Sequence, residues 1–139
     1  MKIYVTKRDG TKEPLMLEKW QAQVAKICVG IADVSTSMVE IKSQLHFYDG
    51  ITTHQIDEIT LRAVVDLIDV ENNPDVGHTN YQYVAGKQRL SMLRKDVYGN
   101  YEPPRLYDIV VTNVATGLYT PELLEWYSEE DWNKMDDML

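Results

Sequence analysis

The hydrophobic period changes once along this chain, and that change sets its fold class. Residues 2–6, Lys-Ile-Tyr-Val-Thr, alternate as a strand does, and Arg8-Asp9-Gly10-Thr11 supplies an Asp-Gly turn. Lys12 to Met16 can return as a second strand, which predicts a short N-terminal β-hairpin. From Glu18 the apolar residues follow a helical interval instead. Trp20, Val24, Ile27, Cys28 and Ile31 fall on one face of a helix over about residues 18–32. The expected fold is therefore mainly α with a small β-hairpin.

The punctuation beyond that helix predicts three more long helices. Asp33-Val-Ser35-Thr36-Ser37 breaks the first helix and offers capping hydroxyls to a second, with Met38, Ile41 and Leu45 expected on its inner face. Phe47-Tyr-Asp-Gly50 is expected to end it with a C-terminal glycine. Thr53 can cap a third helix in which Ile56, Ile59, Ala63 and Leu67 share a face. The breaker run Glu71-Asn-Asn-Pro-Asp-Val-Gly77 leads to a fourth, Asn80 to Tyr98, lined by Gly86, Leu90, Leu93 and Val97. Gly99 and the stiff Tyr101-Glu-Pro-Pro104 link place a domain boundary after residue 98. Shorter helices follow at Leu106–Val114, Pro121–Tyr127 and Ser128–Met138, the last opened by a capping sequence, Ser128-Glu-Glu-Asp131.

Charge and cysteine usage narrow the function classes. A net charge of -8 argues against a nucleic-acid-binding surface, which needs clustered cations to replace counterions on the phosphate backbone. The charge is unevenly spread. Residues 1–20 carry five basic groups against three acidic, whereas residues 121–139 carry seven acidic groups against Lys134 alone. A small anion can therefore still bind near the N-terminus. With no apolar run near the ~20 residues a membrane span needs, and no signal-peptide pattern after Met1, a soluble cytoplasmic protein is expected. One cysteine, Cys28, excludes an internal disulfide and a cysteine-built zinc site. Its place on an apolar helix face reads as a core thiol.

Few residues are arranged for chemistry. His46, His54 and His78 lack ligand spacing, so no metal site is expected from protein ligands, and no nucleophile elbow, Walker loop or dinucleotide fingerprint occurs. Trp126, Tyr127 and Trp132 fit a helical core spacing, or else a docking surface. The remaining candidate is Val5-Thr-Lys7-Arg8-Asp9-Gly10, which fixes two adjacent cations at a strand end. Arg can hold phosphate oxygens bidentately and Lys adds a point charge, with Lys19 at the start of the next helix able to close the ring. Without context the same four residues also make an ordinary solvated turn.

The Lys7-Arg8-Asp9-Gly10 hairpin followed by a Lys19-bearing helix resembles the ATP-cone, a regulatory domain of ribonucleotide reductases. Phe47-Tyr-Asp-Gly-Ile51, Tyr81-Gln-Tyr-Val-Ala85, Leu93-Arg-Lys95, Val97-Tyr-Gly99, Tyr101-Glu-Pro-Pro104 and Tyr119-x-x-x-Leu123-Leu-Glu-x-Tyr127 resemble the N-terminal segment of class I aerobic ribonucleoside-diphosphate reductase large subunits. The resemblance implies a β-hairpin cap over a four-helix bundle across residues 1–98. It makes residues 99–139 a helical connecting segment toward a catalytic barrel expected where the chain ends. It further implies an allosteric site for ATP or dATP with Mg2+, acting on overall activity through assembly of the large subunit with the small, radical-generating subunit. Carried over by motif, Lys7 and Arg8 hold phosphates, Val5, Glu13, Lys19 and Thr53 line the nucleotide, and Lys95 reaches in from the fourth helix. The parent is an oxidoreductase; with Cys28 alone, no catalysis is expected of this chain by itself.

The sequence departs from the pattern at Asp57, where related cones often carry His, and at Ser91-Met92, where they often carry Phe-His. A carboxylate at Asp57, itself in the nucleotide-lining set, repels a triphosphate unless Mg2+ or a basic partner intervenes. The alternative is a cone that has lost nucleotide binding and serves as a structural or docking module.

Overall fold

The computed structural model describes residues 2–100 and 102–139; Met1, and Tyr101 of the Tyr-Glu-Pro-Pro link, lie outside the described residues. Among the described residues two strands, β1 (Tyr4–Thr6) and β2 (Lys12–Pro14), precede seven helices. These are α1 (Leu17–Cys28), α2 (Thr36–Gln44), α3 (Thr53–Ile68), α4 (Tyr81–Tyr98), α5 (Leu106–Ala115), α6 (Glu122–Trp126) and α7 (Glu129–Asp137). The chain forms two compact units, Met1–Leu93 and Arg94–Leu139, divided within α4.

In the first unit β1 and β2 pair antiparallel, with Tyr4 opposite Pro14, Val5 opposite Glu13 and Thr6 opposite Lys12. The other edge of β1 is also held. Gly50 N–H donates to Tyr4 O at 2.8 Å, Thr6 N–H donates to Ile51 O at 2.9 Å, and Thr6 forms a parallel bridge with Thr52. The Phe47–Ile51 stretch therefore does not end α2, which stops at Gln44; it runs as a strap along β1 into α3. Asp49 Oδ1 accepts the Tyr4 N–H at 2.8 Å across 45 residues of sequence, and Gly50 takes φ 84°, a conformation that favours glycine.

Thr52, not Thr53, caps α3. Its hydroxyl accepts from Gln55 N–H at 3.1 Å while Gln55 Oε1 accepts from Thr52 N–H at 3.0 Å, a reciprocal capping box. Behind the hairpin, Val5, Trp20, Val24, Ile27, Val39, Ile51, Ile56, Val64, Leu67, Tyr81 and Val84 form one buried cluster. Polar bonds thread it at places where burial without a partner would be costly. Trp20 Nε1 donates to Thr60 Oγ1 at 3.1 Å, Gln88 Nε2 donates to Asp57 O at 3.1 Å, and Tyr81 Oη accepts from Ser35 N–H at 2.8 Å.

Two expected helix faces are corrected, although Met38 of α2 does pack against the core as expected. In α2 the buried residues are Val39 and Ser43, while Ile41 is 56% and Leu45 78% exposed. Ser43 can sit inside because its hydroxyl donates to Val39 O at 2.6 Å. In α4 the inner face is Tyr81, Val84, Gln88 and Met92, whereas Leu90, Leu93 and Val97 are exposed. The amide of Gln88 finds the Asp57 carbonyl, so a polar residue occupies the inward position and the leucines turn outward. The loop before α4 is closed tightly at Gly77, where a Cβ would meet Asn73 O at 2.8 Å, and only glycine fits without a shift.

The second unit is thinner. Among its described residues, Val110 and Trp132 are the buried hydrophobic ones. Tyr127 meets Trp132 edge-on at 5.5 Å, and Arg105 pairs with Asp136 at 2.7 Å and Asp137 at 3.2 Å. Ser128 and Asp131 form the expected capping box at the start of α7. Trp126, expected in a core, is instead 63% exposed, because α6 is only a five-residue helix with no buried side chain.

Candidate functional site

Of the residues the sequence singles out, Val5, Lys7, Arg8, Glu13 and Thr53 belong to the hairpin and the start of α3, which adjoins it. Val5 is buried under the hairpin, and Lys7 follows β1 at the mouth of the turn. The turn is closed by Lys7 N–H donating to Thr11 O at 2.8 Å and by Gly10 N–H donating to Lys7 O at 3.0 Å, with Gly10 at φ 84°. Asp9 Oδ1 accepts both the N–H and the hydroxyl of Thr11, at 2.9 and 2.6 Å. Those two bonds hold the Asp9 carboxyl below its usual range. Arg8 lies exposed at the tip of this fixed turn. Lys7 Nζ lies 2.9 Å from Glu13 Oε2 on the opposite strand, and this partner raises the Lys7 pKa.

Thr53 is the first residue of α3 and follows Thr52, which is bridged to Thr6. The end of β1 and the positive end of a sixteen-residue helix are thus side by side, and no acidic residue occupies the first turn of α3. Lys19 is exposed in the first turn of α1 and makes no ion pair among the described residues. Asp57, one turn along α3 from Thr53, is only 4% exposed. Lys95 stands in the last turn of α4, within the Arg94–Leu139 unit.

Both other departures from the expected pattern lie on the same helix. Met92 is buried, and Ser91 Oγ accepts from Gln23 Nε2 of α1 at 3.3 Å. Cys28 is buried, and burial pushes its thiol pKa up, which disfavours the thiolate a nucleophile needs. Among the described residues no cluster of three or more His, Cys, Asp or Glu could hold a metal ion.

The ATP cone domain matches this chain over residues 3–96, which takes in the hairpin, its strap and α1 to α3 with most of α4. The chain belongs to the ATP-cone family. It is 42% identical over 137 residues to the ribonucleoside-diphosphate reductase 1 subunit alpha of Escherichia coli, and 40% identical over 137 residues to the subunit alpha of Haemophilus influenzae. Each alignment covers 99% of this chain and 17% of the relative. The subunit alpha of Enterobacteria phage T4 is 45% identical over 91 residues, 66% of this chain and 11% of that protein. The chain therefore spans about a sixth of the length of the curated relatives it matches.

Two parts of this candidate site do not follow from the residues by the patterns above: the strap that fixes β1 from its second edge, and the Thr52–Gln55 capping box. The box had a readable signal, Thr52-x-x-Gln55. Tyr48 Oη, which donates to Gln55 Oε1 at 2.8 Å, ties the strap to that cap, and nothing in local spacing announces the bond.

Proposed function

We propose that this cone is an allosteric nucleotide-binding domain that takes ATP or dATP, with Mg2+, between the hairpin turn and the first turn of α3. The observation that carries the reading is the double anchoring of β1. The strand bonds to β2 on one edge and to the strap entering α3 on the other, so Lys7 and Arg8 leave a fixed strand end beside a helix N-terminus. Ammonium, guanidinium and helix N–H groups are the donors a polyphosphate needs. Mg2+ would arrive on the phosphates, since that ion is commonly held by substrate phosphates and water with little help from protein.

In this reading Lys7 and Arg8 hold phosphates, Val5, Glu13 and Thr53 line the nucleotide, and Lys19 supplies a further cation. Asp57 also belongs to the nucleotide-lining set, its carboxylate repelling phosphate unless Mg2+ or a basic partner intervenes, and Lys95 joins on the strength of the family resemblance. The domain spans residues 1–98, and residues 99–139 form a helical connector. Its wider partners are the rest of a class I ribonucleoside-diphosphate reductase large subunit and the radical-generating small subunit, in the cytoplasm. Bound nucleotide biases their association and so the overall activity in deoxyribonucleotide synthesis. No helix among the described residues is long and apolar enough to cross a membrane.

The test is calorimetric titration of the chain with ATP and with dATP in the presence of Mg2+, repeated on Lys7→Ala. Binding lost in the variant supports the site, and the ratio of the two affinities gives the direction of the switch. Silence with both nucleotides at millimolar concentration favours the second reading, a cone fold kept as a docking module. That reading draws on the departures at Asp57, Ser91 and Met92, of which Asp57 and Met92 are packed inside the fold.

A further inference from the structure

A groove of about 510 Å³ opens between the C-terminal end of α2 and the middle of α3, well along α3 from the capped end that faces the hairpin. Ile59, Ala63 and Leu45 form its apolar surface; Lys42, His46, Arg62 and Asp66 complete the lining. Lys42 Nζ pairs with Asp66 and donates to Asn73 Oδ1 at 3.1 Å, so its ammonium is held in place and its charge is locally balanced. Arg62 has no ion-pair partner among the described residues, which leaves a planar, five-donor guanidinium uncommitted beside an apolar wall. The volume falls in the range of small-molecule sites, and a mostly apolar lining with a few polar groups is their usual composition.

We propose that this groove is a second ligand site, independent of the hairpin, for a small organic anion: a flat apolar body carrying one phosphate or carboxylate. The body lies against Leu45, Ile59 and Ala63, and the anionic group meets Arg62 as a bidentate partner, with His46 at the rim. The side-chain pattern selects against a bare inorganic anion, because half of the site offers no hydrogen bond. It also selects against a cation, because Asp66, the carboxylate in the lining, is already engaged by Lys42. Residues Ile59 to Asp66 of the wall belong to the helix whose first turn adjoins β1, so a ligand in the groove and one at the hairpin would contact a common rigid element.

The experiment is an amide-shift titration of the full chain with 1-naphthyl phosphate, and separately with inorganic phosphate. Shifts at residues 42–46 and 59–66 are expected with the naphthyl compound and not with inorganic phosphate at the same concentration. Arg62→Glu should weaken that binding about tenfold or more, the scale of one charge-assisted contact. Leu45→Ala should weaken it less, and Lys7→Ala not at all. Both groove variants alter exposed side chains, and their amide spectra report directly whether the fold is kept. Shifts at Lys7, Arg8 and Thr53 alone, no shift at residues 42–46 and 59–66 with millimolar probe, or groove binding unchanged in Arg62→Glu would each overturn the assignment. Failure here leaves the hairpin site untouched, since that site is tested by Lys7→Ala and nucleotide.

Discussion

The Met1–Leu93 unit and the Arg94–Leu139 unit are both helical, yet they are held together by different physics. The first has a continuous core running from Val5 of the hairpin to Val84 of α4, with the buried polar groups Trp20, Thr60 and Gln88 supplied with partners inside it. The second centres on Val110 and Trp132, leaves Trp126 and Leu118 exposed, and relies on capping and surface ion pairs at Arg105. Exposed ion pairs contribute at most about 1 kcal/mol each, whereas a buried leucine contributes several. Stability should therefore be concentrated in the hairpin-bearing unit, and its site should be rigid while α5 to α7 unfold more readily.

The sharpest way to break this contrast is Leu67→Ala. Leu67 is fully buried on α3, so the variant should lose about 3 kcal/mol of stability, read as a fall in the main thermal or urea transition. A loss under 1 kcal/mol would mean that α3 is not central to the core. A chain ending at Tyr98 should keep that main transition, which also tests the proposed boundary after residue 98. If the shortened chain fails to unfold cooperatively, the boundary proposal is wrong.

Next in size is Lys7→Ala with Arg8→Ala. Two charge-assisted contacts at about 1.5 kcal/mol each predict a loss of nucleotide affinity of about a hundredfold. Both side chains are exposed, so the unfolding transition should move by less than about 0.5 kcal/mol. Affinity unchanged by the double substitution would remove the hairpin from the proposed site, and a large loss of stability would show that the turn is structural.

The same contrast explains which features could be read in advance. The hairpin, the four long helices and the Ser128 cap were legible because turn chemistry and period are local properties: Asp9-Gly10, Ser35 and Ser128-x-x-Asp131 act within a few residues. The inner faces of α2 and α4 were not. Counting apolar residues put Leu45, Leu90 and Leu93 inside, but the buried positions include Ser43 and Gln88, whose polar groups find partners on Val39 and on Asp57 across the helix pair. A rule that ranks residues by hydrophobicity cannot see a hydrogen bond between residues 31 apart in sequence. The strap along β1 was hidden for the same reason, since Tyr4 and Asp49 are 45 residues apart.

Ser128→Ala examines the thinner unit. The Ser128 hydroxyl accepts from Asp131 N–H at 3.2 Å, and removing an N-cap of this kind costs about 1 kcal/mol. Because α7 carries the buried Trp132, amide exchange should quicken through residues 129–137. Exchange in α1 to α3 should be unchanged. Equal acceleration in both units would mean that they unfold as one and that the contrast fails.

The smallest effect concerns acid, and it places one device from each unit side by side. Asp9 accepts two bonds from Thr11, and Asp131 accepts the N–H and hydroxyl of Ser128 at 3.0 and 2.9 Å. In both cases those bonds favour the ionised carboxylate and lower its pKa in the folded chain. A depressed folded pKa gives stability that is present above the unfolded value near 3.8 and is lost as pH falls through the folded one. Carboxyl-carbon titration should therefore give both groups midpoints below 3.8, with Thr11→Ala raising only the Asp9 midpoint and Ser128→Ala only that of Asp131. The structural consequences should differ even though the chemistry is shared. The Asp9 turn belongs to a hairpin whose β1 strand is bonded on both edges, so protonation should leave the Lys7 N–H to Thr11 O bond and the strand pairing in place. The Asp131 carboxylate is half of the box that starts α7, so the same protonation should fray that helix. Fraying of the hairpin before α7 as pH falls would reverse the order of stability argued here.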